Sequence, residues 1–178
     1  MGMQESLSTV PIGLDSPLSV LDESRNWPLC GGNKLRKLSR ILYGENVKGL
    51  LTFGSKYSSH CLATAYWGAK CGYPVRLLVL YEKELDIFKY PNLRLSKLLG
   101  AELVLIQVDQ AHERIAEEKI RFSEYRWIPG GGHCSAGLAA YKEWFLSVLS
   151  DFTELRERTK VILPYGTGTT ALGVLAAI

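Results

Sequence analysis

Little in this sequence would tie it to a polymer, a membrane or a metal. Of its 178 residues, 21 are basic and 18 acidic, and the resulting net charge of +3 is spread along the chain. So weak and dispersed a balance favours neither nucleic acid nor an anionic membrane surface. The expected partner is a small molecule. The four cysteines, Cys30, Cys61, Cys71 and Cys134, show no paired CxxC spacing, and the three histidines, His60, His112 and His133, are equally scattered. A zinc site would have no local signature, so no metal is expected. No charged segment followed by an apolar one opens the chain, as a signal peptide would require. Together with the cysteine pattern, this points to reduced thiols in a cytoplasmic protein. Met1-Gly2-Met3-Gln4-Glu5-Ser6 fits the short myristoylation pattern but has no polybasic support, and it is set aside. There is no internal repeat and no low-complexity run.

What the chain does have is ordinary globular composition, 47% hydrophobic and 22% charged, and enough length for one good core or two small ones. Apolar runs at Leu50 to Phe53, Val75 to Tyr81, Leu103 to Ile106 and Tyr125 to Ile128 read as strands. Helix-length segments lie between them, at about Ser58 to Lys70, Pro91 to Leu99 and Ala111 to Phe122. Alternation at this spacing implies βαβ units. The fold class is therefore α/β, a parallel sheet with right-handed crossovers and helices on its faces.

Pro129-Gly130-Gly131-Gly132-His133 then breaks the pattern, and a helix from about Ser135 to Leu149 follows. The break reads as a crossing between domains: residues 44–128 as a small parallel-sheet domain, with 1–43 and 129–178 belonging to a larger one. A fifth strand is expected at Lys160 to Tyr165, leading through Gly166-Thr167-Gly168-Thr169-Thr170 into a last helix apolar on nearly all sides. Such a helix calls for cover from further structure.

Three places carry candidate chemistry. In Gly31-Gly32-Asn33-Lys34-Leu35-Arg36-Lys37-Leu38 a glycine pair opens a helix. At about 100° per residue, Leu35, Leu38, Ile41 and Leu42 share an arc that also contains Lys34, while Arg36, Ser39 and Arg40 point elsewhere. A lysine there either snorkels to water or loses hydration, so that its neutral, nucleophilic amine becomes more populated. Taken alone, the helix leaves both readings open, snorkelling being the commoner.

The second place is Gly166 through Thr170, where backbone N–H groups and hydroxyls between strand and helix make a phosphate cradle. Its bland alternative is a turn whose threonines only cap the helix. Gly166, Gly168 and Ala171 also fit G-x-G-x-x-A, but the acidic residue expected roughly 20 positions on has no counterpart, leaving a nicotinamide dehydrogenase as a distant alternative. The third is Gly54-Ser55-Lys56-Tyr57-Ser58-Ser59-His60, whose hydroxyls would hold a carboxylate, or whose Ser58 or Ser59 simply caps a helix.

An amine-bearing lysine, a phosphate cradle and a carboxylate-sized serine loop are the parts needed for pyridoxal phosphate and an amino acid. GGNKLRKL, LLTFGSKYSSHC, PNLRLSKLLGAELVLI, IPGGGHCSAGLAAY and VILPYGTGTTALG, in that order, resemble the family of 1-aminocyclopropane-1-carboxylate deaminase and D-cysteine desulfhydrase. Those are pyridoxal-phosphate enzymes of the tryptophan-synthase-β fold type, and the resemblance runs from about Ser16 to Ile178. It implies that Lys34 is the Schiff-base lysine and proton-transfer base, that Lys37 faces the phosphate, and that Gly166, Thr167, Gly168, Thr169 and Thr170 hold it. Ser58 would sit by the substrate, as carboxylate holder or nucleophile, and Ser59 beside the cofactor. The substrate would be a small amino acid, D-cysteine slightly preferred, giving a 2-oxo acid and ammonia; the assembly would be a homo-oligomer.

The match also departs from the family. Ser59 stands where asparagine is usual, Ser55-Lys56-Tyr57 replaces Gly-Ile-Gln, and the stretch before GGNK is shortened to Ser16 through Glu23, so that a strand is shortened or lost there. Family members continue past the phosphate loop with units carrying the ring-nitrogen partner and an active-site tyrosine. The expectation is thus a shortened member, the alternative being a catalytically impaired remnant that binds phosphate, the cofactor or a partner chain.

Overall fold

The computed structural model describes residues 7–10, 18–23, 32–157 and 160–178. Met1 through Ser6, Ser16, Cys30 and Gly31 lie outside the described residues. Two short strands, β1 (Leu7–Val10) and β2 (Leu18–Leu21), pair antiparallel with Leu7 opposite Leu21. The stretch expected to hold a shortened or lost strand, Ser16 through Glu23, carries the four-residue β2, and only its pairing with β1 has no sign in the sequence pattern. Helix α1 (Asn33–Ile41) follows, then β3 (Leu50–Ser55), α2 (Ser59–Cys71), β4 (Val75–Tyr81), α3 (Pro91–Leu98), β5 (Glu102–Gln107), α4 (Ala111–Arg121) and β6 (Arg126–Ile128). Two more helices complete the order, α5 (Ser135–Asp151) and α6 (Thr169–Leu175).

Strands β3 to β6 form one parallel sheet in the order β5-β4-β3-β6. The α/β class and the parallel sheet flanked by helices are as expected from the alternation. Because side chains alternate along a strand, the sheet feeds two cores. Leu50, Val75, Leu77 and Val79 pack with Leu35, Leu38, Ile41 and Leu42 of α1 and with Cys61, Ala63 and Ala65 of α2. Leu51, Leu78 and Ile106 face the other way, against Ile115 of α4 and Phe122, Tyr125 and Trp127. A third core, Tyr141, Phe145, Val148 and Val174, joins α5 to α6. Helix α1 touches both α2 and α5, and so links the sheet to the last two helices.

The expected fifth strand does not form. Residues 160–165 run outside any strand, and Val161, Ile162 and Tyr165 are exposed. An extended run becomes a strand only when its N–H and C=O groups bond to a neighbour, and none of the described strands lies beside this one. The last helix keeps Val174 buried, while Leu172 and Leu175 remain exposed.

Candidate active site

Helix α1 starts behind Gly32, at φ 103°. The arc implied by its spacing is the buried one: Leu35, Leu38, Ile41 and Leu42 are 7% exposed or less. Lys34 is half-buried, and burial alone lowers its pKa from the ordinary lysine value. Arg36, expected to point away, is buried instead. Glu23 Oε1 accepts from its Nε at 2.7 Å, its guanidinium lies 4.8 Å over the Trp144 ring, and the other Glu23 oxygen accepts the Tyr141 hydroxyl at 2.5 Å. A carboxylate distant in sequence makes that burial possible.

Lys37, one turn after Lys34, is 2% exposed. Its Nζ has a single long contact, to the Gly131 carbonyl oxygen at 3.4 Å, and lies 5.7 Å from the Tyr141 ring centre. Among the described residues no carboxylate forms an ion pair with it. Desolvation first and the charge of Lys34 second pull its pKa down to about 8, only partly opposed by Cys134 and Glu23. A buried ammonium so poorly satisfied is costly unless an anion joins it.

Two loops close on this helix. In the glycine loop, Gly131 and Gly132 hold φ of 69° and 68°, and a Cβ on Gly132 would sit 3.3 Å from the Lys37 side chain. Only glycine adopts that conformation freely while letting the backbone lie on a lysine stem. In the threonine loop, Thr170 Oγ1 accepts from Asn33 Nδ2 at 3.0 Å, which fixes the loop to the first residue of α1. Thr169 Oγ1 lies 2.9 Å from His133 Nδ1 and 3.1 Å from Thr167 Oγ1. Gly168 takes φ 78° at the turn into α6, and a Cβ on Gly131 would meet Thr167 at 2.6 Å. Lys37, Thr167, Thr169 and Thr170 are thus gathered at one place, with Gly166 exposed at its edge.

The serine loop enters from α2. Ser58 is the N-cap, its Oγ accepting from Cys61 N at 3.1 Å, so the capping alternative is realised by Ser58. Ser59 is exposed in the first turn. The next residue, His60, counts in the sequence only as one of three scattered histidines, yet it is 2% exposed and senses both lysines. Its position directly after the two serines is the one signal that could have found it. Among the described residues no three or more His, Cys, Asp or Glu gather as a metal would require, and no helix is long and apolar enough to cross a membrane. An open groove at the carboxyl ends of β4 and β5, lined by Tyr81, Lys83, Leu85, Tyr90 and Gln107, shares no residue with the lysine cluster.

The family model described as pyridoxal-phosphate dependent enzyme matches residues 6–178. The chain belongs to this family. Its cofactor is pyridoxal phosphate. Among solved structures, the fold is similar to a homologue of 1-aminocyclopropane-1-carboxylate (ACC) deaminase, with TM-score 0.73 and 22% identity over 96% of this chain and 55% of that one. It is also similar to a hydrogen sulfide-producing enzyme from Fusobacterium nucleatum, with TM-score 0.71 and 15% identity over 97% of this chain and 57% of that one. A T.th. threonine deaminase matches with TM-score 0.66 and 20% identity, over 89% of this chain and 49% of that one. At such identities the likeness establishes the fold. The chain spans about half the length of these structures. No curated protein matches its sequence.

Proposed function

We propose that this chain holds pyridoxal phosphate at Lys34 and serves as a deaminase or lyase of a small amino acid. The observation that carries the reading is Lys37: a buried cation with one long carbonyl contact among the described residues, facing a glycine loop whose Gly131 meets Thr167 of the threonine loop. A phosphate is the group that such a donor set lacks. Half-buried Lys34, its pKa lowered by lost hydration, offers the amine that a cofactor aldehyde needs.

The residues of the chain would then divide the work. Lys37, Gly166, Thr167, Gly168, Thr169 and Thr170 hold the phosphate, Asn33 keeping the threonine loop against α1. Ser59 faces the cofactor. Ser58 stands at the substrate end, where its cap bond fixes the direction of its hydroxyl. Lys34 carries the proton at the substrate α-carbon. When bound, pyridoxal phosphate supplies the electron sink for that carbon. Residues 44–128 form the sheet domain in this reading, and 1–43 with 129–178 contribute to the cofactor domain.

D-cysteine, losing sulfide, and ACC, opened to a 2-oxo acid and ammonia, are the substrates that the motif resemblance favours. The protein acts in the cytoplasm as a homo-oligomer, with no nucleic-acid or membrane partner. The test is spectroscopic. Adding pyridoxal phosphate gives the visible absorbance of a lysine-bound cofactor in the wild-type chain, and Lys34→Ala abolishes it. Equal spectra would reject the lysine assignment. Absorbance without sulfide or pyruvate from D-cysteine would favour a binding protein that has lost the reaction.

A further inference from the structure

His60 has no role in that division of work, and its hydrogen bonding is unusual. Its Nδ1 is the one buried side-chain nitrogen or oxygen among the described residues that lacks a hydrogen-bond partner. The other ring nitrogen, Nε2, lies 3.0 Å from Thr52 Oγ1, and that hydroxyl donates to the Ile128 carbonyl oxygen at 2.7 Å. Together these contacts fix the tautomer. A carbonyl oxygen only accepts, so the single hydrogen of the Thr52 hydroxyl is committed to Ile128. Toward His60 the hydroxyl therefore accepts, and Nε2 carries the hydrogen between them. A neutral ring protonated at Nε2 leaves Nδ1 with a bare lone pair. Burial, reinforced by the charges of Lys34 and Lys37, pulls the ring pKa down to about 3, so the neutral form holds across the physiological range.

The same two bonds join three segments of the site. Thr52 is in the middle of β3, Ile128 ends β6 directly before the glycine loop, and His60 directly follows Ser58 and Ser59. Thr52 and His60 are both 2% exposed or less, so water does not compete for the bond between them. We propose, on the reading that the lysine cluster is the cofactor site, that His60 is a positioning residue. The Ile128–Thr52–His60 relay holds the serine loop and the glycine loop in register around Lys34 and Lys37, and it keeps Nδ1 as a fixed neutral acceptor on a ring close enough to feel both amines. A protonated ring there would set a third cation against them.

The experiment is a long-range proton–nitrogen correlation spectrum of the full chain, labelled at histidine, with and without pyridoxal phosphate. The expected result is the Nε2–H pattern for His60, unchanged between about pH 5 and 8. Thr52→Ser, which keeps the hydroxyl, retains that pattern. Thr52→Val loses it and weakens the titration with pyridoxal phosphate at least fivefold. An Nδ1–H pattern in the wild type, titration within that range, or a Thr52→Val chain with wild-type pattern and affinity would overturn the proposal. If Thr52→Val does not fold, the wild-type spectrum and Thr52→Ser decide it. Lys34→Ala keeps the His60 pattern while losing the visible absorbance. A wild-type chain with the pattern but no absorbance sinks the cofactor reading and leaves the relay standing.

Discussion

Buried cations lie on both sides of the sheet, and their surroundings differ. On the α4 side, Arg76 is 7% exposed and lies between two carboxylates. Its Nε and Nη2 reach the two oxygens of Glu118 at 2.5 and 3.1 Å, Nη1 pairs with Glu102, and the guanidinium lies 4.3 Å over the Phe122 ring. On the α1 side, Lys37 is more deeply buried and has one carbonyl at 3.4 Å. Its neighbour Arg36 has a carboxylate of its own in Glu23. Among the described residues, the fold therefore gives its buried arginines paired carboxylates, while the lysine nearest Lys34 has no ion pair and only the more remote pull of Glu23. Folding alone accounts for the first arrangement. The second is the kind of local sacrifice found where a ligand completes the electrostatics.

The largest expected effect separates the two sides by stability. Glu118→Ala leaves Arg76 with only the exposed Glu102 as its partner, and removing one member of a buried pair costs about 3 kcal/mol. The hydrogen bond from Arg76 otherwise lowers the pKa of the Glu118 carboxyl from its ordinary value. Denaturant unfolding should show this loss with little change in affinity for pyridoxal phosphate, because the pair lies across the sheet from Lys34. A large affinity change with intact stability would contradict the division.

Lys37→Met makes the opposite prediction. It removes a cation that has no paired carboxylate among the described residues, so the cofactor-free chain should be as stable as the wild type or about 1 kcal/mol more so. Affinity for pyridoxal phosphate should fall roughly tenfold or more, the worth of a charge-assisted bond to phosphate. Destabilisation of several kcal/mol with affinity kept would make Lys37 a structural residue like Arg76.

The contrast between these cations is only half legible in the sequence. Period-2 apolar runs and helix punctuation are enough to find β3 to β6 and α2 to α5, because those signals are local. The spacing of α1 puts Lys34 on the apolar arc, and three positions further, at 100° each, Lys37 falls within 60° of it. Its burial is thus readable from the same wheel. The fate of Arg36 is not, since it depends on Glu23 and Trp144, nor is the tie from Thr52 to Ile128, which spans 76 positions. The run at 160–165 looks like a strand from its own residues, but pairing is a property of two strands. Which loops converge on Lys34 is suggested by family resemblance rather than by any local pattern.

The most gradual effect is a slope with pH, and it follows from the same buried ammonium without an ion pair among the described residues. In the unfolded chain Lys37 has the ordinary lysine value near 10.4, whereas in the fold it is drawn down to about 8. Below pH 8 it is charged in both states, and the folded chain bears the full burial cost. Between about pH 8 and 10 the unfolded chain binds more protons than the folded one, so stability rises with pH across that window. Lys34, also lowered by burial, tilts in the same direction. Subtracting the stability of Lys37→Met from that of the wild type at each pH isolates the Lys37 share. The difference between the two proteins should shift in the wild type's favour from pH 8 to 10. A parallel pair of curves would mean that the Lys37 ammonium is satisfied in solution by a group that also satisfies it when folded, and the contrast with Arg76 would disappear.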